Sequence, residues 1–257
     1  MPRTLRRIGL LIPAADPMSE ADFHRHLPSG LSFHTTRLYE SETSTASTLD
    51  NLDELVASAP QAARLVALVD PELIVFCCTS ASLYKGSGWD KEVAKMITDA
   101  TGITATTTAT SVVEAHKALG LNDVFMITPY RDLTNRLEAE FLEAHGVEVT
   151  EFTSFDCNKS KDLGNITCEQ IMEKALTNRA TIEDAGGLFI SCTALPAFEM
   201  IEYLEAELGV PVVSSNQATL WNTLNILKVD GSAIPGGRLF RLANTRPPVL
   251  NRNTGSA

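Results

Sequence analysis

The chain has 257 residues, a hydrophobic content of 44% and a formal net charge of −11, with a pI of about 4.9. The acidic balance argues against nucleic-acid binding, because phosphate backbones attract basic surfaces. No apolar run reaches the roughly 18 residues that span a bilayer, so no membrane role is expected. The five cysteines lack the C-x-x-C spacing of zinc or redox sites, which predicts a cytoplasmic protein with reduced thiols and no metal site.

Short apolar runs alternate with amphipathic segments along the first part of the chain. RIGLLIP is predicted to be a buried strand, followed by a helix start in SEADFHRHL and a second strand in LSFHTTRLY. LDNLDELVASAPQAARLVALV has helical spacing, which Pro60 is expected to interrupt. ELIVFCC and GITATTT are further predicted strands, separated by a helix in WDKEVAKMITDAT that ends at Gly102.

From about residue 111 the same pattern begins again. Its predicted elements are, in order, the helix SVVEAHKALGL, the strand DVFMITPY, the helix RDLTNRLEAEFLEAHG, the strand VEVTEFTSF, the helix CEQIMEKALTNRA, the strand GGLFISC, the helix AFEMIEYLEAELG and the strand in VPVVSSNQA. The offsets between matching landmarks are nearly constant: Cys192 minus Cys78 is 114, Pro129 minus Pro13 is 116, and Gly209 minus Gly102 is 107. The chain therefore reads as a duplicated half.

This repeat predicts an α/β fold with two pseudo-symmetric Rossmann-like lobes, each a parallel sheet flanked by helices, and an active site in the cleft between them. The predicted boundaries are residues 1–112 plus 218–257 for the first lobe, with a C-terminal return, and 113–217 for the second. The acidic helices are interpreted as solvated faces.

The two halves share one junction, in which an apolar strand ends in cysteine and threonine. FCCTSAS contains Cys78 and FISCTAL contains Cys192, both at carboxyl ends of strands, where ligands bind in open parallel sheets. Cys77 should point to the opposite face of its strand and pack in the core. Backbone N–H groups of following helices are expected to lower the pKa of the two thiols.

Two thiols that face one cleft suit proton chemistry beside a carboxylate. One thiolate can remove a proton or add to an activated double bond while the other thiol delivers a proton. Thr79, Ser80 and Thr193 would stabilise the developing enolate oxygens. This chemistry needs no metal or organic cofactor.

The motifs GLLIP, CTSAS, TPY, SCTAL and VPVVSSNQA resemble the aspartate/glutamate/hydantoin racemase superfamily over about residues 8–227. Within it the resemblance is greatest to the branch of maleate cis–trans isomerases and arylmalonate decarboxylases. The resemblance implies that Cys78 is the nucleophile and Cys192 the proton donor. Because the decarboxylases have glycine at the first position, Cys78 counts against simple decarboxylation.

The resemblance also implies residues that bind the substrate. Thr79 and Ser80 match a pair that cradles a carboxylate, and Tyr130 matches a tyrosine that hydrogen-bonds it. Asn158 is the candidate for a substrate-binding asparagine, although a loop asparagine often serves a turn. Ser215 is expected on the cavity side of the last repeated strand.

One position departs from the pattern of maleate isomerases. They typically have P-S-S-N after the first strand, where the asparagine binds a substrate carboxylate, whereas this chain ends the motif in Asp16. An aspartate would repel a second carboxylate unless protonated, and would accept hydrogen bonds from an amine or amide. An alternative is that Asp16 caps the helix that follows.

These observations predict a cofactor-independent isomerase of a small carboxylate, acting by cis–trans isomerisation or by racemisation. An arylmalonate-type decarboxylase that uses Cys192 alone and a non-catalytic binder of small acids are the alternatives. The resemblance also implies that the chain forms a homo-oligomer.

Overall fold

The computed structural model describes residues 5–41 and 48–242. Its strands form two parallel sheets of four strands each. The first sheet contains β1 (Arg6–Pro13), β2 (Leu31–Leu38), β3 (Leu73–Phe76) and β4 (Ala105–Thr107), and the second contains β5 (Asp123–Thr128), β6 (Glu148–Ser154), β7 (Leu188–Ile190) and β8 (Val212–Ser214). The strand orders are β2-β1-β3-β4 and β6-β5-β7-β8, so the second sheet repeats the first. This confirms the predicted α/β fold of two repeated parallel sheets.

Eleven α-helices and two short 3-10 turns connect the strands within the described residues. The helices are α1 (Ser19–Arg25), α2 (Leu49–Ala67), α3 (Trp89–Thr101), α4 (Thr108–Leu119), α5 (Asp132–Glu143), α6 (Ser160–Leu163), α7 (Cys168–Thr177), α8 (Arg179–Ala185), α9 (Ile201–Leu208), α10 (Ser215–Leu227) and α11 (Gly237–Arg241). The 3-10 turns are Ser80–Ser82 and Phe198–Met200. The single helix predicted for CEQIMEKALTNRA is therefore wrong, since α7 and α8 divide at Asn178.

The predicted interruption at Pro60 is also wrong, because α2 runs through it as one helix of 19 residues. Proline lacks the N–H that would bond to the carbonyl four residues earlier, which usually kinks or ends a helix. Here the buried face continues on both sides of the proline, with Val56 and Ala59 before it and Ala62 and Ala63 after it. Burial of this face against β1, β2 and α3 outweighs the missing hydrogen bond.

Helices α4 and α10 pack against each other where the two halves meet. Each begins directly after the last strand of its sheet, and each has a hydroxyl N-cap: Thr107 accepts from the Thr110 amide and Ser214 from the Gln217 amide. Hydrogen bonds cross between the helices, from Thr219 Oγ1 to Thr108 Oγ1 at 3.1 Å and from Asn222 Nδ2 to Ser111 Oγ at 3.1 Å. The halves therefore join through buried polar contacts as well as apolar ones.

The last repeated strand is shorter than predicted. It ends at Ser214, so Ser215 and Asn216 lie in the first turn of α10 and not on the strand. The reason is the N-cap at Ser214, which diverts the chain into a helix.

The lobe boundaries at 112/113 and 217/218 stay a prediction, and residues 243–257 of the expected C-terminal return lie outside the described residues. No helix in residues 5–41 and 48–242 is both long and apolar enough to cross a membrane.

Candidate active site

The carboxyl ends of the two sheets face one small cavity. It contains about 410 Å³ of space free of protein atoms, part of it open to solvent. Its lining consists of Pro13, Ala15, Asp16, Glu40, Asn51, Leu55, Cys78, Ser80, Tyr130, Ser160, Leu163, Cys192, Thr193 and Ala194. Both repeated cysteines therefore line the same cavity, one from each half.

Cys78 lies just after β3, before the 3-10 turn Ser80–Ser82. Its Sγ accepts a hydrogen bond from the Ala81 amide and lies 3.9 Å from the Ser80 hydroxyl. The Ser82 hydroxyl donates to the Cys78 carbonyl at 2.7 Å, and this bond stabilises the turn. The thiol is buried but reaches the cavity, since 7% of the residue surface is exposed.

Cys192 occupies the equivalent position after β7, with the same 7% exposure, but its backbone differs. Its φ is +113°, a region that residues with a Cβ rarely adopt. The Ala194 amide donates to Sγ at 3.4 Å, and the Cys192 amide donates to Ser215 Oγ at 3.0 Å. Such strain persists only where surrounding contacts hold it, and it clusters at functional sites.

The expectation that helix N-termini lower the pKa of both thiols is wrong. Neither cysteine is followed directly by an α-helix: α3 and α9 begin more than seven residues later in each case. Burial raises the pKa of Cys78 to about 12, partly offset by hydrogen bonds from the Ala81 amide and Ser80. Burial also raises the pKa of Cys192. Desolvation of the charged sulfur outweighs the few local donors, so both groups are thiols at neutral pH.

Tyr130 follows the end of β5 and lines the cavity with the two cysteines. Its hydroxyl is hydrogen-bonded to the Cys192 thiol, and burial, followed by the charges of Cys192 and Glu138, raises the pKa of the phenol. The Tyr130 amide donates to Thr128 Oγ1 at 3.1 Å, and Asn135 Nδ2 donates to the Tyr130 carbonyl at 3.2 Å. The ring is therefore a neutral donor in a fixed orientation.

Two other predicted residues lie beneath the cavity and do not line it. Thr79 Oγ1 donates to Ser215 Oγ at 2.9 Å. Ser215 Oγ also accepts a hydrogen bond from the amide of Cys192. Both side chains are buried, with exposures of 1% and 0%. They connect the two cysteine turns, and their contact with a substrate stays a prediction.

The remaining predicted residues divide into two groups. Ser80, Thr193 and Asp16 line the cavity as expected. Asn158 is an exposed loop residue outside the cavity lining, and its contact with a substrate stays a prediction.

The carboxylate of Asp16 already has local partners. Its Oδ1 accepts from the amides of Met18 and Ser19 at 2.8 and 3.0 Å, and its Oδ2 accepts from Ser19 Oγ at 2.6 Å. These contacts match the helix-capping interpretation, since they tie Asp16 to the start of α1. Part of the residue still faces the cavity.

Sequence reasoning missed several residues that line the cavity: Glu40, Asn51, Leu55, Ser160 and Leu163. Glu40 follows the carboxyl end of β2, so the same rule that found the cysteines would have found it. The others come from α2 and α6, and no local pattern marks them. Among the described residues, no three His, Cys, Asp or Glu side chains are grouped so that they could hold a metal ion.

Comparison with known proteins places this geometry in context. Residues 8–240 match the family model described as arylmalonate decarboxylase. The chain is 29% identical to the maleate isomerase of Nocardia farcinica, over 92% of this chain and 96% of that protein. It is 28% identical to the arylmalonate decarboxylase of Bordetella bronchiseptica, over 91% and 95% of the respective chains.

A solved structure extends the likeness to three dimensions. It is a cysteine-to-serine mutant of the Nocardia farcinica maleate cis–trans isomerase with a covalently bound succinylcysteine intermediate. The TM-score is 0.84 and the identity 25%, with coverage of 92% of this chain and 98% of that one.

Proposed function

The chain belongs to the arylmalonate decarboxylase family, and from this membership we propose that it is a cofactor-independent isomerase of a small carboxylate. The observation that carries the proposal is that Cys78 and Cys192 line one cavity from opposite halves. A decarboxylase that protonates one face of an enediolate needs one acid. A second thiol is needed when a group must be attacked or deprotonated as well.

For a cis–trans isomerisation, Cys78 acts as the nucleophile after losing its proton to solvent. Its sulfur bonds to the β-carbon of an α,β-unsaturated carboxylate, and the π electrons move onto the carboxylate as an enediolate. The former double bond is now single and rotates. Return of the electrons restores the double bond in the other geometry and breaks the carbon–sulfur bond. Protonation of the adduct by Cys192 would give a saturated thioether, which must lose that proton before the sulfur leaves.

For a racemisation, the same groups exchange protons. The Cys78 thiolate removes the α-proton, and the Cys192 thiol delivers its own proton to the opposite face. After one turnover Cys78 carries the proton and Cys192 is the thiolate, so solvent exchange or a reverse turnover resets the site. The role of Cys192 as the acid is supported by its hydrogen bond to Tyr130.

Neutral donors around the two sulfurs would bind the reacting carboxylate. Ser80, Thr193 and Tyr130 line the cavity next to the cysteines. A preorganised set of hydroxyl and amide donors stabilises an enediolate more than a ground-state carboxylate, because the charge on its oxygens increases in the transition state. Thr79 and Ser215 would act beneath them by fixing the two turns.

The acids in the cavity lining favour a substrate without a second carboxylate. Asp16 and Glu40 line it, and no lysine or arginine lines it with them among the described residues. The segment of residues 42–47 next to Glu40 in sequence also contains no basic residue. A second carboxylate would meet two acids, whereas an amine, amide or hydroxyl would meet acceptors. We therefore favour an amino-acid-like or hydroxylated monocarboxylate over maleate.

Two observations favour the decarboxylase alternative: the description of the matching family model and the 28% identity to the arylmalonate decarboxylase of Bordetella bronchiseptica. In that reaction the substrate would lose carbon dioxide, and Cys192 alone would protonate the enediolate. A non-catalytic binder of small acids is the remaining alternative.

A substrate panel in deuterium oxide tests the proposal. Maleate, aspartate, hydantoins, diamino acids and an arylmalonate are incubated with the protein and analysed by NMR and chiral chromatography. Racemisation incorporates deuterium at the stereocentre, whereas addition, rotation and expulsion need not incorporate any. The variant Glu40→Gln should improve turnover of dicarboxylates relative to monocarboxylates, by about tenfold for the removal of one nearby charge. Carbon dioxide release from an arylmalonate without isomerisation of any substrate would contradict the proposal.

The absence of a cofactor is part of the proposal, and activity should persist after exhaustive dialysis against a chelator. The cytoplasmic location and the homo-oligomer stay predictions.

A further inference from the structure

Two buried acids have no part in the chemistry above. Asp22 lies on α1 and Glu138 on α5, with exposures of 1% and 0%. The interpretation of the acidic helices as solvated faces is wrong for both. They lie on corresponding helices, since α1 and α5 each follow the first strand of their half. Burying a carboxyl costs free energy, so the presence of one on each helix calls for a physical reason.

Glu138 contacts the residue before Cys192. Ser191 Oγ donates to Glu138 Oε1 at 2.6 Å, and Oε2 has no hydrogen-bond partner among the described residues. Burial raises the pKa of Glu138 to about 8, partly offset by the bond from Ser191. The group is therefore a neutral acid at pH 7, held directly beneath the turn that carries the second cysteine.

Asp22 acts on the residue after Cys192 through one intermediary. Asn216 Nδ2 donates to Asp22 Oδ2 at 2.8 Å and to the Thr193 carbonyl at 2.8 Å. The carboxyl of Asp22 thus fixes which way the amide of Asn216 points, because both acceptors need the nitrogen. Ser19 connects this group to Asp16 at the cavity, with 3.4 Å to Asn216 and 2.6 Å to Asp16.

The two acids converge on one strained turn, although they come from different halves. Ser191 and Thr193 flank Cys192, whose φ is +113°. A residue with a Cβ is strained in such a region and stays there only when the surrounding structure holds it. Glu138 is hydrogen-bonded to Ser191, which precedes Cys192. Asn216, oriented by Asp22, is hydrogen-bonded to Thr193, which follows it.

The turn at Cys78 has no such arrangement within the described residues, which makes it an internal reference. The residue at the position of Ser191 is Cys77, whose thiol contacts the carbonyl of Val75 at 3.6 Å. The φ of Cys78 is not positive, and the Ser82 hydroxyl bonds to its carbonyl. Among the described residues, no buried acid is hydrogen-bonded to Cys77 or Thr79, which flank Cys78.

We propose that Asp22 and Glu138 are positioning residues that hold the strained Cys192 turn, so that its thiol points into the cavity. Neither acid touches the cavity, and neither is assigned to the reaction itself. The proposal rests on the proposed function only in that Cys192 is the acid there. The conformation of the turn can be measured without any turnover.

The test compares Glu138→Leu with Asp90→Leu. Asp90 is a matched buried acid on α3, 2% exposed, with one oxygen accepting from Thr110 Oγ1 at 2.6 Å and the other without a partner among the described residues. It lies outside the cavity lining. Both variants should lose stability to a similar extent. Hydrogen exchange by mass spectrometry should show the amides of residues 192–194 exchanging at least about tenfold faster in Glu138→Leu, relative to core strands, and unchanged in Asp90→Leu.

Kinetics give the second readout. A thiol displaced by about 1 Å lowers kcat by roughly 10- to 100-fold, and KM should change less than about threefold because the carboxylate donors remain. Glu138→Gln should restore kcat, since an amide oxygen accepts from Ser191 as the neutral acid does. Asp22→Asn should likewise retain activity and Asp22→Leu should not.

Two results would overturn the proposal. One is equal exchange at residues 192–194 in Glu138→Leu and Asp90→Leu. The other is a fall in kcat that Asp90→Leu reproduces. If Glu138→Leu does not fold, Ser191→Ala removes the same hydrogen bond and is read by the same exchange measurement. A wild type without turnover would refute the proposed function and leave the exchange result to decide the positioning role.

Discussion

The two halves of the molecule share strand order but differ at the turn that each presents to the cavity. Cys78 lies on a relaxed turn held by the hydroxyl of Ser82. Cys192 lies on a turn with φ of +113°, held by side chains from α5 and α10. Equal topology has therefore placed two thiols in one cavity, while different supporting residues give each thiol its own backbone.

The two halves have diverged in the residues that contact the cysteine turns and not in the order of the strands. The strands fix which residues reach the cavity, because they end at the same edge of each sheet. The residues that contact the two turns then differ, and so does the backbone conformation of the two cysteines. Burial raises the pKa of both thiols, yet of the two it is Cys192 that is hydrogen-bonded to Tyr130.

The largest expected effect comes from replacing the sulfur of either cysteine. Cys78→Ser and Cys192→Ser should each lower the rate of isomerisation by at least about 10³-fold, because a hydroxyl is a weaker acid and a poorer nucleophile than a thiol. The measurement is the initial rate on the substrate that the panel identifies, with circular dichroism to verify the fold. Loss of activity in Cys192→Ser alone would favour the decarboxylase alternative.

A second prediction concerns stability and pH. The folded pKa of Glu138, about 8, exceeds its ordinary value of 4.5, so the folded state binds an extra proton between those values. Its contribution is present below about pH 4.5 and is lost as the pH rises through about 8, a loss on the order of a few kcal/mol. Glu138→Gln should flatten this decline in the free energy of unfolding.

The control for this titration is Glu140→Gln, an exposed change on the same helix. Urea unfolding at several pH values between about 5 and 9 measures the wild type and both variants. An unchanged slope in Glu138→Gln would show that Glu138 is ionised in the fold. Asp22, with a pKa raised by burial to about 7, adds a decline of the same sign.

The smallest expected effect concerns the backbone strain at the two cysteines. Glycine accepts positive φ without strain, so Cys192→Gly should cost less stability than Cys78→Gly, by about 1–3 kcal/mol. Both changes remove the same side chain from equally buried positions. Urea unfolding of the two variants measures the difference. Equal losses would mean that the turn at Cys192 stores no strain.

Sequence reasoning recovered the repeat, because hydrophobic runs and glycine stops recur at nearly constant spacing and constrain the whole fold. It also found both cysteines, Tyr130 and most of the hydroxyls at the cavity. It misjudged Pro60, since local proline chemistry does not reveal how much surface a helix buries on either side.

Other misses share one cause, which is that they depend on contacts distant in sequence. Ser215 and Thr79 are 136 positions apart, and only the packed halves show that they bond. Glu138 does carry a signal: it lies on the stripe of α5 that also contains Phe141 and Leu142, where an acid is unexpected. An acid on an apolar stripe of a helix is therefore a pattern that sequence reasoning can use to find buried carboxyls.

The oxygen of Ser215 has a mechanical consequence. It accepts from Thr79 at 2.9 Å and from the Cys192 amide at 3.0 Å, so a single atom joins the two cysteine loops. A slide of one half over the other by about half an ångström would stretch one of these bonds beyond its usual length. This shared oxygen therefore limits how far the two cysteine turns can move apart. A ligand that binds between the sulfurs has to fit the spacing that the protein fixes.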